Sequence, residues 1–549
     1  MSVSIKRHIF ILAVLSYFFF FFGNSMVSLS NPDEVFYTQT AKEMVRHKSW
    51  LVPYLFDQPQ FEKPIFLYWL LLLAFIIFGV TNFGARFFPA LFALIGVIAV
   101  YLLALLGFKN ERKAFLSALI LMSSSVYVGL GRTVFTDMVF SIFILLALVS
   151  FYGAYVYHKR KTVGLLLYFF FSALAVLSKG PLGLFFPGLI VLSFLWLKKD
   201  LKFLSCRATL WGLLIFVVVA LPWYIFMMSR YDPAFSYEFF YNDHIRRFFE
   251  AEHPMNDTWH FYPLSLIWGM LPWSLYVVTA LASLVSNLKR KKQDIYLFLA
   301  CWIGIIFLVC QPAHSKLVSY IFPFFPALAL LAGDFIYERN LKKTKVLFWI
   351  SLITAFFALF FVFSLIIAGV FFKTYILKYL SSIFPIYLLA AFVLTPSGFF
   401  IAFVIRRDYL KSAYALFFFI PAIFCIIPII DQDIEPYVSP KVSCQYLLGN
   451  YKIDNFILCS KFFARGVRFY TDKKIAVMNP FGKNFFSPHP IPFLDNDDKV
   501  RDFLCKQKVT YCVLKRSSVE DIERQKGEFK IEVLRVIGDE YLVRASHLK

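Results

Sequence analysis

Charged residues are scarce in this chain of 549 residues: only 16% are Asp, Glu, Lys or Arg, whereas 60% are hydrophobic. A soluble globular protein has about 25% charged and roughly 45–50% apolar residues, so these apolar side chains exceed what a water-soluble fold could bury. No internal repeat at a fixed period occurs, and length and composition exclude a disordered chain, a collagen-like fibre and a small disulfide-stabilised domain. These absences leave a protein that crosses a membrane several times.

Cysteines are few, and the eight present form no Cys-x-x-Cys or His/Cys zinc spacing. Four lie in or beside apolar runs, where we expect small buried hydrophobes: Cys206, Cys301, Cys310 and Cys425. The other four lie in the C-terminal tail, where an oxidising compartment would allow three pairings: Cys444, Cys459, Cys505 and Cys512. No spacing indicates a divalent metal, and Glu62 and His244 are the candidate ligands should one bind.

Apolar runs long enough to cross a hydrocarbon core of ~30 Å as helices recur along roughly the first 430 residues. Clusters of Lys and Arg separate them, and the positive-inside rule places these clusters in the cytoplasm. This assignment requires one run not to span, and we choose 64–80 as a juxtamembrane or re-entrant helix. Thirteen spans remain, with the N-terminus inside and the C-terminus outside: 9–23, 84–106, 114–130, 137–157, 163–178, 182–197, 208–228, 263–286, 295–311, 317–337, 346–372, 383–405 and 411–430.

The composition changes abruptly after Ile430 to a mixed-charge tail with short runs typical of β-strands: 456–459, 467–470, 475–478, 510–514, 531–537 and 541–543. The sequence therefore predicts two units. Residues 1–430 form a polytopic α-helical membrane domain with extracytoplasmic segments at 24–82 and 229–262, and residues 431–549 form a small extracytoplasmic α/β domain.

The formal net charge of +22 raises the question of an acidic partner such as nucleic acid. The basic residues are scattered among short cytoplasmic loops and are not gathered on one domain, so we expect no nucleic-acid partner. Most of the basic excess instead indicates membrane orientation. The basic side chains on the outer face are the candidates for binding an acidic ligand.

Acidic side chains on the outer face lie next to the membrane interface. Asp33 and Glu34 follow the first span, and the structural alternative is that they only begin an amphipathic helix. Asp137 lies at the mouth of a later span, where an unpaired carboxylate is costly, and Arg132 is its candidate partner.

Basic and aromatic side chains from several outer loops are also predicted to lie above the helices. Lys179 is at the tip of a tight hairpin, where snorkelling to the interface is the structural alternative. Later loops contribute His244, Arg246, Arg247, Lys316 and Tyr320. Lys and Arg from separate loops on one face can form a clamp for phosphate groups.

Taken in order, these short motifs resemble the membrane glycosyltransferases of the GT-C class. They are most similar to the lipid A aminoarabinose transferase (ArnT) group, which is related to the protein O-mannosyltransferases. They cover about residues 25–325: Pro32-Asp33-Glu34 with Tyr37, Phe61-Glu62-Lys63-Pro64, Asn82-Phe83-Gly84-Ala85-Arg86, Thr136-Asp137, Lys179-Gly180, His244-Ile245-Arg246-Arg247-Phe248, Leu271-Pro272-Trp273 and Ser315-Lys316 with Tyr320. The thirteen-span plan with an outer C-terminal domain also matches this class.

The resemblance implies that a sugar moves from a polyprenyl phosphate carrier to an acceptor on the outer face of the membrane. Asp33 then matches the acidic residue central to catalysis and Asp137 the second acidic position, with Glu34 as a further catalytic candidate. Lys63, beside Glu62, would hold the donor phosphate. The other implied substrate-binding residues are Tyr37, Lys179, His244, Arg246 or Arg247, Lys316 and Tyr320.

The resemblance also implies an inverting reaction in the bacterial inner membrane, with lipid A or a related envelope molecule as acceptor and the active site facing the periplasm. Phe36 stands where many relatives have Arg, and Gln60 where an aromatic is common, so the sugar stays open: aminoarabinose or another amino sugar. The alternative enzyme is a protein O-glycosyltransferase or another envelope glycan transferase. A transporter is disfavoured because the mid-span stretches are almost free of charge.

Overall fold

The computed structural model describes residues 3–289, 293–479, 491–524 and 527–547. Helices dominate because backbone polar groups in a lipid environment must be satisfied within the chain. The longer α-helices of the first 440 residues are Val3–Ser16, Asp33–Arg46, Phe66–Phe78, Asn82–Phe108, Glu111–Met122, Ser125–Gly131, Thr136–Val156, Lys161–Lys179, Leu182–Leu197, Arg207–Tyr231, Phe261–Gly269, Ser274–Lys289, Asp294–Cys310, Phe325–Leu341, Lys345–Phe371, Phe384–Ile405, Tyr409–Phe417, Phe419–Phe424 and Ile427–Val438.

Shorter elements connect these helices. Tyr17–Phe21 and Ser236–Arg246 are π-helical, and Arg247–Phe249 and Lys373–Ile376 are single α-helical turns. The 3₁₀ turns are His158–Arg160, Leu201–Leu204, Pro254–Asn256, Val318–Tyr320 and Phe322–Phe324. A two-stranded antiparallel hairpin pairs Tyr54–Leu55 with Gln58–Pro59.

The helices agree with the predicted polytopic architecture. Among the described residues, seven helices are long and apolar enough to cross a membrane, and three bent pairs raise the number to at most ten. The remaining three predicted spans contain the shorter helices Leu182–Leu197, Asp294–Cys310 and Phe325–Leu341. Phe66–Phe78 has 13 residues and is about 20 Å long at 1.5 Å per residue, too short to cross ~30 Å, as expected for a juxtamembrane helix.

Three predicted spans are not straight, and the one expected at 411–430 bends by 50° between Tyr409–Phe424 and Ile427–Val438. The span expected at 263–286 is a pair of helices, Phe261–Gly269 and Ser274–Lys289, that meet at 119°. Pro272 lies in the break, where it lacks the N–H that a continuous helix needs. The span expected at 114–130 bends by 66°, beside Ser123 and Ser124, whose hydroxyls donate to carbonyls four residues earlier.

Small residues allow the central helices to approach closely. A Cβ added at Gly96 in helix Asn82–Phe108 would lie 2.3 Å from the Tyr127 hydroxyl, and one at Gly183 would lie 2.3 Å from the Val176 backbone nitrogen. Glycine at helix contacts brings backbones together in membrane bundles. The helices that carry Asp137 and Lys179 therefore belong to a tightly packed core.

The C-terminal region is an α/β domain with one six-stranded sheet. In spatial order its strands are Phe493–Leu494, Ile475–Met478, Ile457–Ser460, Val509–Leu514, Glu540–His547 and Phe529–Ile537. The first four are parallel, and the last two join as antiparallel strands. Its helices are Lys441–Asn450, Ala464–Thr471, Asp497–Cys505 and Arg516–Glu523, with a 3₁₀ turn at Lys461–Phe463.

The structure differs in three respects from what the sequence led us to expect of this region. The strand predicted at 467–470 was wrong, because these residues lie in helix Ala464–Thr471, whose buried face packs against another helix. The boundary predicted after Ile430 falls inside helix Ile427–Val438. All eight cysteines are free in the structure, so none of the three pairings considered for the tail is formed.

The C-terminal domain docks on helix Asp33–Arg46, which we call the first-loop helix. The docking element is helix Ala464–Thr471, which we call the docking helix. Arg468 Nε lies 3.1 Å from Glu43 Oε1, and Lys42 Nζ lies 2.8 Å from Asp472 Oδ2. Because Arg468 and Glu43 are both nearly fully buried, this ion pair fixes the relative position of the two helices.

Candidate active site

A small cavity of about 180 Å³ lies where several segments distant in sequence converge. Its ionisable and hydroxyl-bearing walls are Glu62, Lys63, Lys179, Asp243, His244, Arg247, Ser315, Ser319 and Tyr320. Its remaining lining is mostly apolar, including Phe140, Leu182, Phe186 and Phe239. Seven of the residues predicted to bind substrate or catalyse therefore lie at or beside one cavity, and the other five lie elsewhere.

Lys63 and Arg247 share one carboxylate in this small cavity. Lys63 Nζ is hydrogen-bonded to Asp243 Oδ2, and Arg247 Nη2 lies 3.0 Å from Asp243 Oδ1. Burial would raise the pKa of Asp243, but the charges of Lys63 and Arg247 outweigh it and hold that pKa below its usual range. Two cations thus face the cavity around one ionised carboxylate.

A second carboxylate–cation pair lies beside the first. Asp137, in the first turn of helix Thr136–Val156, accepts a hydrogen bond from Lys179 Nζ at the end of helix Lys161–Lys179. The same ammonium lies 4.9 Å from the centre of the Tyr320 ring, a cation–π contact. The partner of Asp137 is therefore Lys179 and not Arg132, whose guanidinium donates to the carbonyls of Phe19 and Phe22.

Glu62 is positioned by one of the two residues that depart from the related proteins. Gln60 Oε1 accepts a hydrogen bond of 2.9 Å from the Glu62 backbone N–H, and Gln60 Nε2 donates to the Tyr68 hydroxyl at 2.6 Å. Burial raises the pKa of Glu62, and its largest opposing influence is the charge of Arg465. Burial thus favours the protonated form of Glu62 more than in an exposed carboxyl group, although Lys63 and Arg247 line the same cavity.

His244 is held against a tight turn. Its Nδ1 donates to the Phe239 carbonyl at 2.7 Å, and burial lowers its pKa, so the neutral ring is favoured. Gly180 has φ +96° there, and an added Cβ would lie 2.6 Å from His244 Nε2. The Lys179-Gly180 pair thus combines a cation with the glycine that lets His244 approach.

Asp33 lines a second, more open cavity of about 940 Å³, which we call the large cavity. Ser319 lines both cavities, so the two adjoin at the turn that carries Tyr320. Asp33 begins the first-loop helix and is partly accessible, while surrounding protein raises its pKa, with the carboxylates of Glu252 and Glu34 adding to the effect. Asp33, the acid expected to be central to catalysis, therefore faces the large cavity, which adjoins the small cavity.

Besides Asp33 and Asp137, four predicted residues do not line the small cavity. Glu34 is buried in an ion pair with Arg86, at 2.6 Å between Oε2 and Nη2. Tyr37 is buried beside it in the first-loop helix, where burial and the Asp137 charge raise its pKa strongly. Arg246 points outward to Glu250 at 2.7 Å, and Lys316 is buried against Asp257 at 2.7 Å. Of the two neighbouring arginines, Arg247 is the one that reaches the cavity.

Two charged residues near the site are missing from the sequence-based prediction. Asp243 is adjacent to His244 in a segment rich in charge, so its position offered a signal. Arg465 lies in the C-terminal domain, and its guanidinium packs 4.5 Å from the centre of the Phe36 ring. No local pattern could have revealed this contact, since it depends on how the two domains dock.

The predicted metal candidates, Glu62 and His244, both line the small cavity. Within the described ranges, however, no three His, Cys, Asp or Glu side chains gather in a way that could hold a metal ion. The residues present form ion pairs with each other. The arrangement suits a polyanionic group with several oxygens, since Lys, Arg and Tyr are all donors.

The chain is similar to known membrane enzymes. Residues 6–235 match the family model described as dolichyl-phosphate-mannose-protein mannosyltransferase. An uncharacterised protein of Aquifex aeolicus is 31% identical over 62% of this chain and 76% of its own length. The undecaprenyl phosphate-alpha-4-amino-4-deoxy-L-arabinose arabinosyl transferase 2 of Proteus mirabilis is 30% identical over 56% of this chain. That alignment spans 55% of the Proteus protein, so the chain matches about half the length of this relative.

A solved structure shares the fold over nearly the whole chain. The crystal structure of ArnT from Cupriavidus metallidurans bound to undecaprenyl phosphate superposes with a TM-score of 0.80 and covers 98% of both chains. Its sequence identity is 17%, so this likeness establishes the architecture alone. The helical membrane unit followed by a small sheet domain is therefore a known fold.

Proposed function

The chain belongs to the GT-C family of membrane glycosyltransferases, and from this premise we propose that it transfers a sugar from a polyprenyl phosphate carrier to lipid A or a related envelope acceptor. The observation that carries the proposal is the small cavity, where Lys63, Lys179 and Arg247 converge among apolar walls. A lipid-linked phosphate needs both cations and apolar surroundings. The names of the similar arabinosyl transferases support an amino sugar as the transferred group.

Cleavage of a sugar–phosphate bond leaves negative charge on the departing phosphate. Preplaced donors stabilise that charge where it develops, which lowers the barrier. Lys63 and Arg247, which share Asp243 in the small cavity, and the Tyr320 hydroxyl are the proposed donors. Lys179, held by Asp137 and the Tyr320 ring, would add a third cation.

Asp33 would act from the large cavity, on the acceptor side. An ionised carboxylate there can accept the proton of an attacking hydroxyl or orient the acceptor. If the acceptor is itself a phosphate, little proton abstraction is needed and Asp33 mainly positions it. Attack from the large cavity on a sugar whose phosphate occupies the small one would invert the anomeric centre.

The proposed location is the bacterial inner membrane, with both cavities and the C-terminal domain on the periplasmic side. The basic clusters between the spans support this orientation through the positive-inside rule. A second candidate function is protein O-glycosylation, because the matched family model describes protein mannosyltransferases. Donor handling would be the same, and only the acceptor would differ.

The test compares lipid A from bacteria with and without the protein by mass spectrometry. A new mass shift of one sugar in the presence of the protein is expected. An unchanged lipid A profile combined with newly glycosylated protein would favour the second candidate, and neither change would overturn both.

The Asp33→Asn variant then tests the site in detergent, with a labelled polyprenyl phosphate sugar as donor. Transfer should fall by at least about 100-fold, as is typical when a general base is removed. The matched control is Glu250→Gln, an acid on the same face whose side chain is 59% exposed and which lies away from both cavities. Undiminished transfer by Asp33→Asn, at normal expression, would remove Asp33 from the reaction.

A further inference from the structure

A side chain of the C-terminal domain packs against the helix that begins with Asp33. Arg465, in the docking helix, is half-buried, and its guanidinium lies 4.5 Å from the centre of the Phe36 ring in the first-loop helix. Phe36 is three residues from Asp33, so the residue that Arg465 contacts lies about one helical turn from Asp33 along the first-loop helix. Cations stacked on aromatic faces in desolvated surroundings are held in a defined place.

We propose that Arg465 is a positioning residue of the transfer site, supplied by the C-terminal domain, which balances and orients the carboxylate of Asp33. The proposal rests on the transferase function proposed above. It assigns the tail domain a part in the reaction itself.

The docking contacts leave Arg465 little freedom. One residue further on, the Gly466 backbone N–H donates to Asn31 Oδ1 at 3.1 Å, and Asn31 Nδ2 donates to the Phe462 carbonyl. A Cβ added at Gly466 would lie 2.9 Å from Asn31 Oδ1, so only glycine permits this approach. Asn31 itself stands two residues before Asp33. The segment that carries Arg465 is therefore tied directly to the segment that carries the catalytic acid.

The electrostatics of the two carboxylates point to the same residue. Burial raises the pKa of Asp33 and of Glu62, and for both the largest opposing influence is the charge of Arg465. The other charged groups that act on Asp33 are Glu252, His253 and Glu34. Those that act on Glu62 are Lys63, Asp243 and Arg247. Arg465 is thus the cation that most favours the ionised form of Asp33.

The experiment measures kcat/KM against pH for Arg465→Ala in detergent, with Arg465→Lys as the conservative variant. Loss of the cation should raise the pKa of Asp33, since a nearby opposite charge lowers such values by about 1–3 units. The acidic limb of the profile should therefore move to higher pH by about one unit, and the lysine should restore most of the shift. Arg516→Ala is the matched control, because that arginine is in the same domain and 82% exposed.

A second variant separates position from folding. In the double variant Arg465→Ala/Phe36→Arg, an arginine on the first-loop helix supplies the guanidinium in place of Arg465. The acidic limb of the pH profile should then move back toward that of the wild type. A pH-independent loss in Arg465→Ala with an unmoved limb would overturn the proposal and leave a purely structural role. Absence of transfer by the wild-type protein would instead contradict the transferase function, so the two failures are distinguishable.

Discussion

Asp33 and Glu34 are neighbours in sequence but belong to two different polar regions. Glu34 lies in a sealed region, where Arg86 donates at 2.6 and 2.8 Å and the Ser30 and Val134 backbone N–H groups donate at 2.9 and 3.0 Å. Asp33 faces the large cavity, next to the small cavity where Lys63 and Arg247 hold Asp243.

The difference lies in the spare hydrogen-bonding capacity of each region. Both oxygens of Glu34 already accept several hydrogen bonds, so a substrate would find no acceptor left. An ammonium has three donors, and Asp243 occupies only part of those on Lys63. An ion pair whose hydrogen-bonding groups all have partners, and which has no cavity beside it, stabilises the fold. One with spare donors beside a cavity can take a ligand.

The sealed region should give the largest effect, on stability. In Glu34→Gln the buried Arg86 loses its counter-charge, and removing one partner of a buried pair costs about 3–5 kcal/mol. The thermal unfolding midpoint in detergent should fall clearly below that of the wild type. Asp33→Asn is the control and should keep its midpoint. A Glu34→Gln protein that is as stable as wild type yet inactive would return Glu34 to the catalytic role.

The residues of the small cavity should give the next largest effect, on the rate at which the sugar donor is used. Lys63→Met keeps the length of the side chain but removes its charge, and loss of one preplaced donor costs about 100-fold in rate. Steady-state kinetics with a labelled polyprenyl phosphate sugar would measure kcat/KM. The midpoint should change little, since Asp243 retains Arg247 as partner. An unchanged kcat/KM would contradict the phosphate role of Lys63.

Arg246 and Arg247 allow a residue at the small cavity to be compared with its exposed neighbour. Arg247→Ala should lower kcat/KM by about 10-fold or more, in line with the about 1.5–3 kcal/mol that a hydrogen bond to a charged group contributes. Arg246→Ala should change it less than twofold, because its exposed pair with Glu250 contributes little. The same transfer assay measures both. Equal losses in the two variants would show that the outward direction of Arg246 does not hold in the working enzyme.

The smallest expected effect is a displacement of the pH profile. Asp33 and Glu62 have raised pKa values, so their ionised forms are lost, as pH falls, at higher pH than for ordinary carboxyls near 3.8 and 4.5. If their carboxylates are required, kcat/KM should decline on the acidic side above that range, while Asp243 stays ionised. Measurement from pH 4 to 8 checks the sign. Full activity down to about pH 4 would contradict it.

The fold could be predicted from the sequence wherever the pattern that indicates it is local and recurs along the chain. Apolar runs and basic clusters predicted the helical bundle, and the run at 64–80, which they predict not to span, contains the 13-residue helix Phe66–Phe78. The 119° turn near Pro272 was missed because an apolar run has the same composition whether it is straight or bent. The helix Ala464–Thr471 was misjudged as a strand, since Val467–Tyr470 has β-prone residues and its packing against the first-loop helix overrides that preference.

Most residues of the candidate site could be predicted from the sequence, but the ion pairs that they form with each other could not. Lys63, Arg247 and Tyr320 were expected near a phosphate, and the structure brings them to one cavity. Which cation meets which acid depends on contacts across the bundle, such as Lys179 with Asp137, 42 positions apart. Arg465 lies beyond any such reasoning, because only the docking of a separate domain places it over Phe36.

The tie between Asn31 and Phe462 joins segments 431 positions apart in the chain. Ribosomes add roughly 5–20 residues per second, so the first-loop helix is made roughly 20–90 s before its docking partner exists. During that interval the early helix must wait at the membrane surface with Asn31 and Glu43 unsatisfied by Gly466 and Arg468. The first-loop helix therefore gains its docking contacts from a segment that is made long after it, and a ribosome that stops before Phe462 leaves the membrane helices without them.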